Sequence, residues 1–284
     1  MRKRHFVFLG LLLALLAASV GTALPARSPV SGPQGRLSMK LTLPDGFDPA
    51  RDSCQMVILM HGIFASKSFA PMPYLARYLA KRGVASIRVD FDGHGRSKGK
   101  LVRMTVAKEI QDARAIWDYA RTLPYVSRLF LLGHSQGGVV ASMFAGELAA
   151  EGGPVPDGLI LLAPGEVIKG ATRAGSFFGQ RFDPKNPPEY IKCFGLFKLG
   201  RDYLLQTQEL DTYGTAALYQ GPVCLIHGTQ DNIVPMRCSE KYHSIYTNSR
   251  LHKVEGENHM IIKRKSEVAG IAAAFLEDVR KSVY

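Results

Sequence analysis

Cysteine and tryptophan are scarce in this chain, which has four Cys and one Trp among 284 residues. No C-x-x-C pair occurs, and no cluster of His and Cys has the spacing of metal ligands, so we expect no metal site. The only G-x-G segment lacks the spacing and the lysine of a phosphate-binding loop, and we expect no cofactor. The aromatic and basic motifs of nucleic-acid-binding modules are also lacking, which predicts no nucleic-acid partner.

Only one long apolar run is present, and it lies at the start of the sequence. Three basic residues precede the run over residues 6–20, and small residues suited to cleavage follow it. The alternative, a retained membrane anchor, is disfavoured because the run is short for a spanning helix. We therefore predict a signal peptide at 1–23, a flexible leader at 24–35 and one domain at 36–284. The protein is expected to be secreted or periplasmic, without stable membrane insertion after cleavage.

Basic residues outnumber acidic ones, with 36 Lys and Arg against 24 Asp and Glu and a formal net charge of +12. A basic exported protein favours anionic polymers such as acidic polysaccharides or cell-envelope surfaces. The alternative is that the charge serves solubility alone, because the basic residues are scattered along the chain. The sequence leaves the oligomeric state open.

The even number of cysteines permits two disulfides in an exported protein, with three possible pairings. Cys224 lies inside an apolar run and is equally typical of a buried free thiol. The pairing therefore stays open for these residues: Cys54, Cys193, Cys224 and Cys238.

Apolar runs typical of buried strands alternate with amphipathic stretches typical of helices. This alternation predicts an α/β fold with a mostly parallel central sheet and helices on both faces. The interval 165–219 breaks the rhythm and is rich in Pro, Gly and aromatic residues, so we predict a small inserted cap subdomain there. The predicted strands are 56–60, 84–89, 128–132, 158–162, 223–227 and 251–254, and the predicted helices are 73–82, 105–122, 136–150 and 266–280.

The segment Gly133-His134-Ser135-Gln136-Gly137 fits the motif G-x-S-x-G of a catalytic serine. A predicted strand leads into the motif and a predicted helix leaves it, as the sharp turn of a nucleophile requires. The glycines on both sides leave room for a strained backbone that lifts the hydroxyl above the sheet. The alternative is an ordinary turn with a surface serine. The context favours Ser135 as a nucleophile.

A serine hydroxyl needs a base and an acid that orients this base, and in such folds they follow the serine in the order acid, then His. Asp231 and His259 each lie in a loop just beyond a predicted strand, where open α/β sheets hold their ligands. We therefore predict the triad Ser135, Asp231 and His259. Glu166 is a rival acid, while His243 and His252 are typical of surface positions.

The oxyanion of an ester's tetrahedral intermediate needs two backbone N–H donors. Gln136 follows the nucleophile at the start of a helix and is the first predicted donor. The second lies in the loop after strand 56–60, where we choose Ile63, with Phe64 as the fallback. His61 in the same loop and the Gly-rich turn at 90–97 are expected to have structural roles.

These segments together resemble the α/β-hydrolase superfamily, and more narrowly the bacterial cinnamoyl (feruloyl) esterases. The resemblance is densest at 88–100, 131–143, 161–164 and 222–231. It implies the α/β-hydrolase fold with a small insertion over the active site. It also implies a serine esterase that hydrolyses esters of hydroxycinnamic acids, such as ferulate linked to plant cell-wall sugars. The expected partner is therefore a small-molecule or polysaccharide-linked aromatic ester.

The resemblance also concerns substrate binding. Tyr203 matches a family tyrosine that contacts the aromatic acid, with simple packing as the alternative. Phe64 is also expected to contact the substrate, and Phe177 and Phe178 either line an apolar acyl pocket or fill the core of the cap. The family carries an acidic residue after Lys-Gly in the insertion, placed to bind the phenolic hydroxyl, whereas here Ala171 follows Lys169-Gly170. A general carboxylesterase or a monoacylglycerol lipase with the same triad is the alternative activity, and an inactive binding protein is a further one.

Overall fold

The structure is a computed structural model that describes residues 29–282. The predicted signal peptide at 1–23 and residues 24–28 of the predicted leader lie outside the described residues. The rest of the leader, 29–35, is folded and not loose, since Ser31 and Gly32 pair with Gly35 and Arg36 and Val30 is buried in the core. The strands are β1 (Ser31–Gly32), β2 (Gly35–Arg36), β3 (Ser38–Thr42), β4 (Cys54–Met60), β5 (Val84–Asp90), β6 (Val126–His134), β7 (Leu159–Leu162), β8 (Ser176–Phe177), β9 (Gln180–Arg181), β10 (Tyr190–Cys193), β11 (Phe197–Gly200), β12 (Val223–Gly228) and β13 (Ser249–Val254).

The helices follow the amphipathic stretches of the sequence. Thr105 caps the second of them by accepting a hydrogen bond from the backbone N–H of Lys108. The helices are α1 (Met72–Ala80), α2 (Val106–Arg121), α3 (Gln136–Ala150), α4 (Val167–Arg173), α5 (Arg201–Glu209), α6 (Thr212–Ala216), α7 (Met236–Ile245) and α8 (Lys265–Lys281), and a 3-10 helix spans Leu101–Arg103.

Seven strands form the central sheet in the order β13-β12-β7-β6-β4-β5-β3. All neighbouring strands are parallel except β3, which is antiparallel to β5. The six predicted strands are β4, β5, β6, β7, β12 and β13, so the prediction of an α/β fold with a mostly parallel sheet is confirmed. From β4 the chain runs first to β5, on one side of β4, and then to β6, on the other side, so the strand order reverses at β4. Ligand crevices form at such a switch point, beyond the carboxyl ends of the strands.

Apolar side chains cover both faces of the sheet. Met56, Ile58 and Met60 of β4 point into one buried cluster, which also holds side chains of α2 and α3. Val57 and Leu59 point into a second cluster that includes α1 and α8. This alternation explains the continuous apolar run in β4, because a strand that is buried on both faces has no polar side.

The insertion, residues 165–219, lies between β7 and β12. It contains α4, the hairpin β8–β9, the hairpin β10–β11, α5 and α6. Its buried side chains, such as Leu199 and Tyr203, belong to the same apolar cluster as α2 and α3. The insertion is therefore packed onto the helical layer on one face of the sheet.

All four cysteines, which the sequence permitted to form two disulfides, are free and buried. Burial raises the pKa of the Cys224 thiol to about 12 and that of Cys193 to about 11. A thiol that stays protonated is a poor nucleophile and a poor partner in disulfide exchange. Within residues 29–282, no helix has the length and apolarity needed to cross a bilayer.

Candidate active site

Ser135 lies at the turn between β6 and α3 with φ 56° and ψ −124°, a conformation that L-residues seldom adopt. The neighbouring glycines are required by close backbone contacts. A Cβ at Gly133 would overlap the backbone of Gly137, and a Cβ at Gly137 would lie 2.5 Å from the carbonyl oxygens of Met60 and His61. The turn therefore exists in this form only because both positions are glycine.

His259 joins the hydroxyl of Ser135 to the carboxylate of Asp231. Its Nε2 lies 2.9 Å from the Ser135 Oγ, and its Nδ1 lies 2.7 Å from the Asp231 Oδ2. Because an ionised carboxylate only accepts hydrogen bonds, Nδ1 carries the proton and Nε2 is free to accept the serine proton. The structure thus brings together the three residues that were predicted from separate strand ends.

The loop that carries His259 is held by the buried carboxylate of Glu257. This carboxylate accepts backbone hydrogen bonds from Asn258 at 2.8 Å and from Arg264. The carbonyl oxygen of His259 is 2.8 Å from the Nε2 of His134, beside the nucleophile. These contacts fix the imidazole position before any substrate binds.

Asp231 follows β12 and is almost completely buried. Its Oδ1 accepts backbone hydrogen bonds from Ile233 at 2.9 Å and Val234 at 2.8 Å. Burial acts to raise the pKa of Asp231, but hydrogen bonds from His227 and His259 outweigh it and hold the pKa well below its usual range. The carboxylate therefore stays ionised opposite the imidazole at every pH at which an esterase works.

The two predicted oxyanion donors belong to segments that meet at the nucleophile. Gln136 is the first residue of α3, where backbone N–H groups have no partner inside the helix. The loop after β4 lies against the serine, since a Cβ on Gly62 would be 2.9 Å from the Ser135 Cβ. This loop carries Ile63, and Phe64 has φ 60°. The loop that carries Ile63 therefore contacts the nucleophile at Gly62, and the donor roles of Ile63 and Gln136 stay predictions.

Gly62→Ala is expected to lower kcat/KM by about 10² to 10³, the usual effect of losing one oxyanion donor. The added methyl group would displace the loop from the nucleophile and with it the second donor. Ester hydrolysis and the unfolding midpoint should be measured together. Gly153→Ala is the control, because a Cβ there meets no atom within 4 Å. Full activity in Gly62→Ala would contradict the assignment of this loop.

Tyr203 does not reach the surface of the site, contrary to the prediction of a direct contact with substrate. Its side chain is completely buried, and its hydroxyl donates to the Gln136 Oε1 at 2.6 Å. The Gln136 Nε2 donates in turn to the Glu109 Oε2 at 2.7 Å. The correct assignment is a hydrogen-bonded chain behind the nucleophile that ties α5 of the insertion to α3. Burial raises the pKa of Glu109 to about 8, so this carboxyl is neutral at neutral pH.

Aromatic side chains collect where the insertion meets the loop after β4. Phe64 stacks on Phe197 with ring centres 4.7 Å apart, and its ring is 5.7 Å from that of Phe178. Phe194 lies 5.1 Å from Phe178. Phe177 is buried beneath this group, where it contacts both Phe178 and Tyr203. The sequence had indicated Phe64, Phe177 and Phe178, but the β10–β11 hairpin that supplies the other two was treated as irregular.

Two further buried carboxyls lie near this site. The backbone N–H of Asp92 donates to the Asp112 Oδ2 at 2.7 Å, and the Asp92 Oδ2 accepts from the backbone N–H of Gln34 at 2.5 Å. Burial, together with the nearby carboxyls of Asp92 and Glu109, raises the pKa of Asp112 to about 9. In the unfolded chain the Asp112 carboxyl loses its proton near pH 4, the ordinary pKa of an aspartate. The folded protein therefore keeps this proton at pH values at which the unfolded chain has released it.

The free energy of unfolding is expected to fall as the pH rises from about 4 to about 9, because the native state alone keeps this proton. The limiting slope is about 1.4 kcal/mol per pH unit for each such proton. Asp112→Asn should flatten the slope, as measured by urea unfolding at several pH values. Asp118→Asn, at an exposed position on the same helix, is the control. Equal slopes in wild type and Asp112→Asn would contradict the account.

The Gly-rich turn at 90–97 has the structural role that was predicted. Asp90 is buried, pairs with Lys67 and accepts a backbone hydrogen bond from Arg96 at 2.9 Å. His61 is also buried, and its Nε2 accepts from the backbone N–H of Phe91 at 3.2 Å. Burial, with the nearby His94, lowers the pKa of His61 to about 3, so this imidazole is neutral. It therefore braces the loop after β4 rather than serving as a second base.

The rival acid lies elsewhere, since the Glu166 Oε1 accepts a hydrogen bond from the Thr212 hydroxyl at 3.0 Å inside the insertion. His243 bonds Ser249 at the exposed end of α7. Within the part of the chain that the structure describes, no group of three or more His, Cys, Asp or Glu is arranged to hold a metal ion.

Comparison with known proteins agrees with this geometry. The family described as serine aminopeptidase, S33, matches residues 51–183. Human protein ABHD12B is 23% identical over 203 residues, and the uncharacterized protein YfhR of Salmonella typhi is 28% identical over 207. Each match covers 72% of this chain, but the chain spans only 53% of the length of ABHD12B and 63% of that of YfhR.

Among solved structures, Est1E from Butyrivibrio proteoclasticus with bound ferulic acid superposes with a TM-score of 0.80 at 28% identity. The superposition covers 86% of this chain and 96% of Est1E. The Ser–His–Asp geometry, the parallel sheet and this likeness point the same way. The chain has the α/β-hydrolase fold with the side-chain geometry of a serine hydrolase, and it resembles the cinnamoyl esterases.

Proposed function

We propose that the protein is a carboxylic-ester hydrolase whose preferred substrates are esters of hydroxycinnamic acids, such as ferulate esters of plant cell-wall sugars. The observation that carries the proposal is the Ser135–His259–Asp231 line. Phe64, two residues after the Gly62 that contacts Ser135, belongs to a group of phenylalanine rings. The likeness to Est1E, whose structure contains ferulic acid, supports the choice of an aromatic acyl group. Aromatic rings in such a pocket bind a planar acid by offset or edge-to-face contacts.

The reaction proceeds through an acyl-enzyme. The Ser135 Oγ attacks the ester carbonyl carbon while the His259 Nε2 takes the hydroxyl proton. Asp231 keeps the imidazole in the tautomer that accepts at Nε2 and stabilises its positive charge. The backbone N–H groups of Gln136 and Ile63 hold the oxyanion. His259 then gives its proton to the departing alcohol, and water hydrolyses the acyl-serine by the same route.

The acyl pocket that we propose is lined by Phe64 and Phe178, with Phe177 and Tyr203 behind them. Ala171 supplies no group that binds a phenolic hydroxyl, in the place where the family carries an acidic residue. We therefore infer that the ring contributes more to recognition than the hydroxyl does. Methyl cinnamate, which lacks the hydroxyl, should be hydrolysed about as well as methyl ferulate.

A panel of esters tests the proposal. The purified protein should show a higher kcat/KM for methyl ferulate and methyl cinnamate than for a short-chain aliphatic methyl ester. Phe178→Ala should raise KM for the aromatic esters and leave the aliphatic ester nearly unchanged. A preference for aliphatic esters would instead support the general carboxylesterase, and a preference for long-chain monoacylglycerols the lipase. If no ester is hydrolysed, the result would support the remaining alternative, an inactive binding protein.

We also propose that the protein is exported, on the pattern of residues 1–23 alone. In a bacterial host, the protein recovered outside the cytoplasm should begin just after the small residues that follow the apolar run. A recovered protein that retains residues 1–23 would overturn this proposal.

A further inference from the structure

The tip of the β10–β11 hairpin exposes two large apolar side chains. Phe194 is 67% exposed and Leu196 is 75% exposed, the two highest values among the exposed large apolar residues of the described part. They flank Gly195 in one turn, closed by a hydrogen bond from the Leu196 N–H to the Cys193 carbonyl at 3.2 Å. We call residues 194–196 the hairpin tip. Most of the surface of these two neighbouring apolar side chains stays in solvent, so their exposure needs an explanation other than packing.

A pair of lysines stands directly behind the hairpin tip. Lys192 and Lys198 are opposite each other in the antiparallel register, and both side chains are exposed on the outer face. Like charges in this position destabilise a strand pair. Lys198 lies over the Tyr190 ring at 4.3 Å, which keeps its charge on that face. Neither lysine forms an ion pair with another described residue.

More positive charge adjoins the base of the hairpin. The 3-10 helix Leu101–Arg103 packs against β11, and a Cβ on Gly200 would overlap the Val102 carbonyl oxygen. The surrounding basic segment, residues 93–108, contains no acid and five cations: Arg96, Lys98, Lys100, Arg103 and Lys108. The four-residue strands place Val102, at the base of the hairpin, about 13 Å from the hairpin tip. The nearest acids in sequence, Glu189 and Asp202, lie at the base of the hairpin and not at its tip.

We propose that the hairpin tip docks on an anionic lipid surface. Phe194 and Leu196 enter the headgroup and acyl boundary, and the lysine pair with the basic segment contacts the lipid phosphates. An apolar tip alone would bind neutral and anionic bilayers alike, and a basic surface alone would bind any polyanion. The two features on one hairpin match a surface that is apolar and negative, as amphipathic interfacial elements do. The contact of Phe194 with Phe64, 6.3 Å between ring centres, places this surface next to the proposed ester site.

Cosedimentation with vesicles tests the proposal without reference to catalysis, so its failure leaves the proposed esterase untouched. The full chain should bind vesicles of phosphatidylcholine with phosphatidylglycerol, and should bind pure phosphatidylcholine much less. Lys192→Gln/Lys198→Gln should weaken binding roughly 25-fold. Leu196→Ser should weaken it about tenfold or more. Added salt should weaken binding by the wild type, since the contact is partly electrostatic.

Matched controls lie outside the insertion, in the turns before β5 and β7 and on α7. Val155→Ser removes another exposed apolar side chain, and Lys81→Gln/Lys241→Gln removes the same net charge as the lysine-pair variant. Both should bind as the wild type does. Equal binding to neutral vesicles, equal loss in the controls, or unchanged binding by Leu196→Ser would each overturn the proposal. Unchanged binding by Leu196→Ser, together with weaker binding by the lysine-pair variant, would indicate that the hairpin binds a polyanion instead of a bilayer.

One outcome concerns the site itself. Leu196→Ser should hydrolyse soluble methyl ferulate with wild-type kcat and KM, because its side chain points to solvent. A raised KM for the soluble ester with unchanged vesicle binding would show that the hairpin tip lines the substrate cleft, and would overturn lipid docking.

Discussion

Ser135→Ala is expected to lower the rate of ester hydrolysis by about 10⁴ to 10⁶, to the level that binding and the oxyanion donors supply without a nucleophile. The reason is the single proton-transfer contact of 2.9 Å between His259 and the serine hydroxyl, which the variant lacks. The measurement is kcat for methyl ferulate or a nitrophenyl ester under saturating substrate.

Two comparisons sharpen this experiment. His259→Ala and the double variant should be about as inactive as Ser135→Ala, because residues that act as one unit have non-additive effects. Ser142→Ala is the control, since Ser142 is buried on α3 and bonds the Tyr242 hydroxyl at 3.2 Å, away from the triad. Hydrolysis by Ser135→Ala within tenfold of the wild type would contradict the assignment.

Asp231→Asn is expected to lower kcat by about 10⁴ while the fold is kept. The amide oxygen still accepts the backbone hydrogen bonds from Ile233 and Val234. The amide nitrogen, however, is a donor, so it favours the imidazole tautomer with an unprotonated Nδ1. In that tautomer the His259 Nε2 carries a proton and does not take the one on Ser135. The kcat of the variant should be measured alongside its unfolding midpoint.

Glu166→Gln is the matched control, because Glu166 is a carboxylate of the insertion that bonds Thr212. It should keep most of its activity. A larger loss in Glu166→Gln than in Asp231→Asn would mean that the acid had been assigned to the wrong strand end.

Much of the fold follows from local patterns. A strand that is buried on both faces, such as β4, has a continuous apolar run, and the turn around Ser135 has glycine where backbones touch. The predicted bounds of α3 are identical to those observed. The edge strand β3 was missed, because Met39 and Leu41 alternate with polar residues over only five positions. Such a short half-buried strand resembles a loop in sequence.

The parts of the site that were missed depend on contacts between distant segments. Tyr203 and Gln136 are 67 positions apart, and nothing near either residue indicates that the hydroxyl would face the amide and not the cleft. The ring contact between Phe64 and Phe197 likewise depends on how the insertion packs on the loop after β4. Apart from the apolar run around Cys224, the cysteines gave no local signal of their pairing, since only the fold decides which of them approach one another. Strand-end positions are predictable, whereas the orientation of side chains from an insertion is not.

The most direct test of the account is covalent labelling of the nucleophile. A fluorophosphonate should react with the native protein in a one-to-one ratio, and peptide mapping by mass spectrometry should place the adduct on Ser135. His259→Ala should react far more slowly, because the imidazole no longer takes the hydroxyl proton. An adduct on any other serine, or equal labelling of the native protein and Ser135→Ala, would contradict the triad.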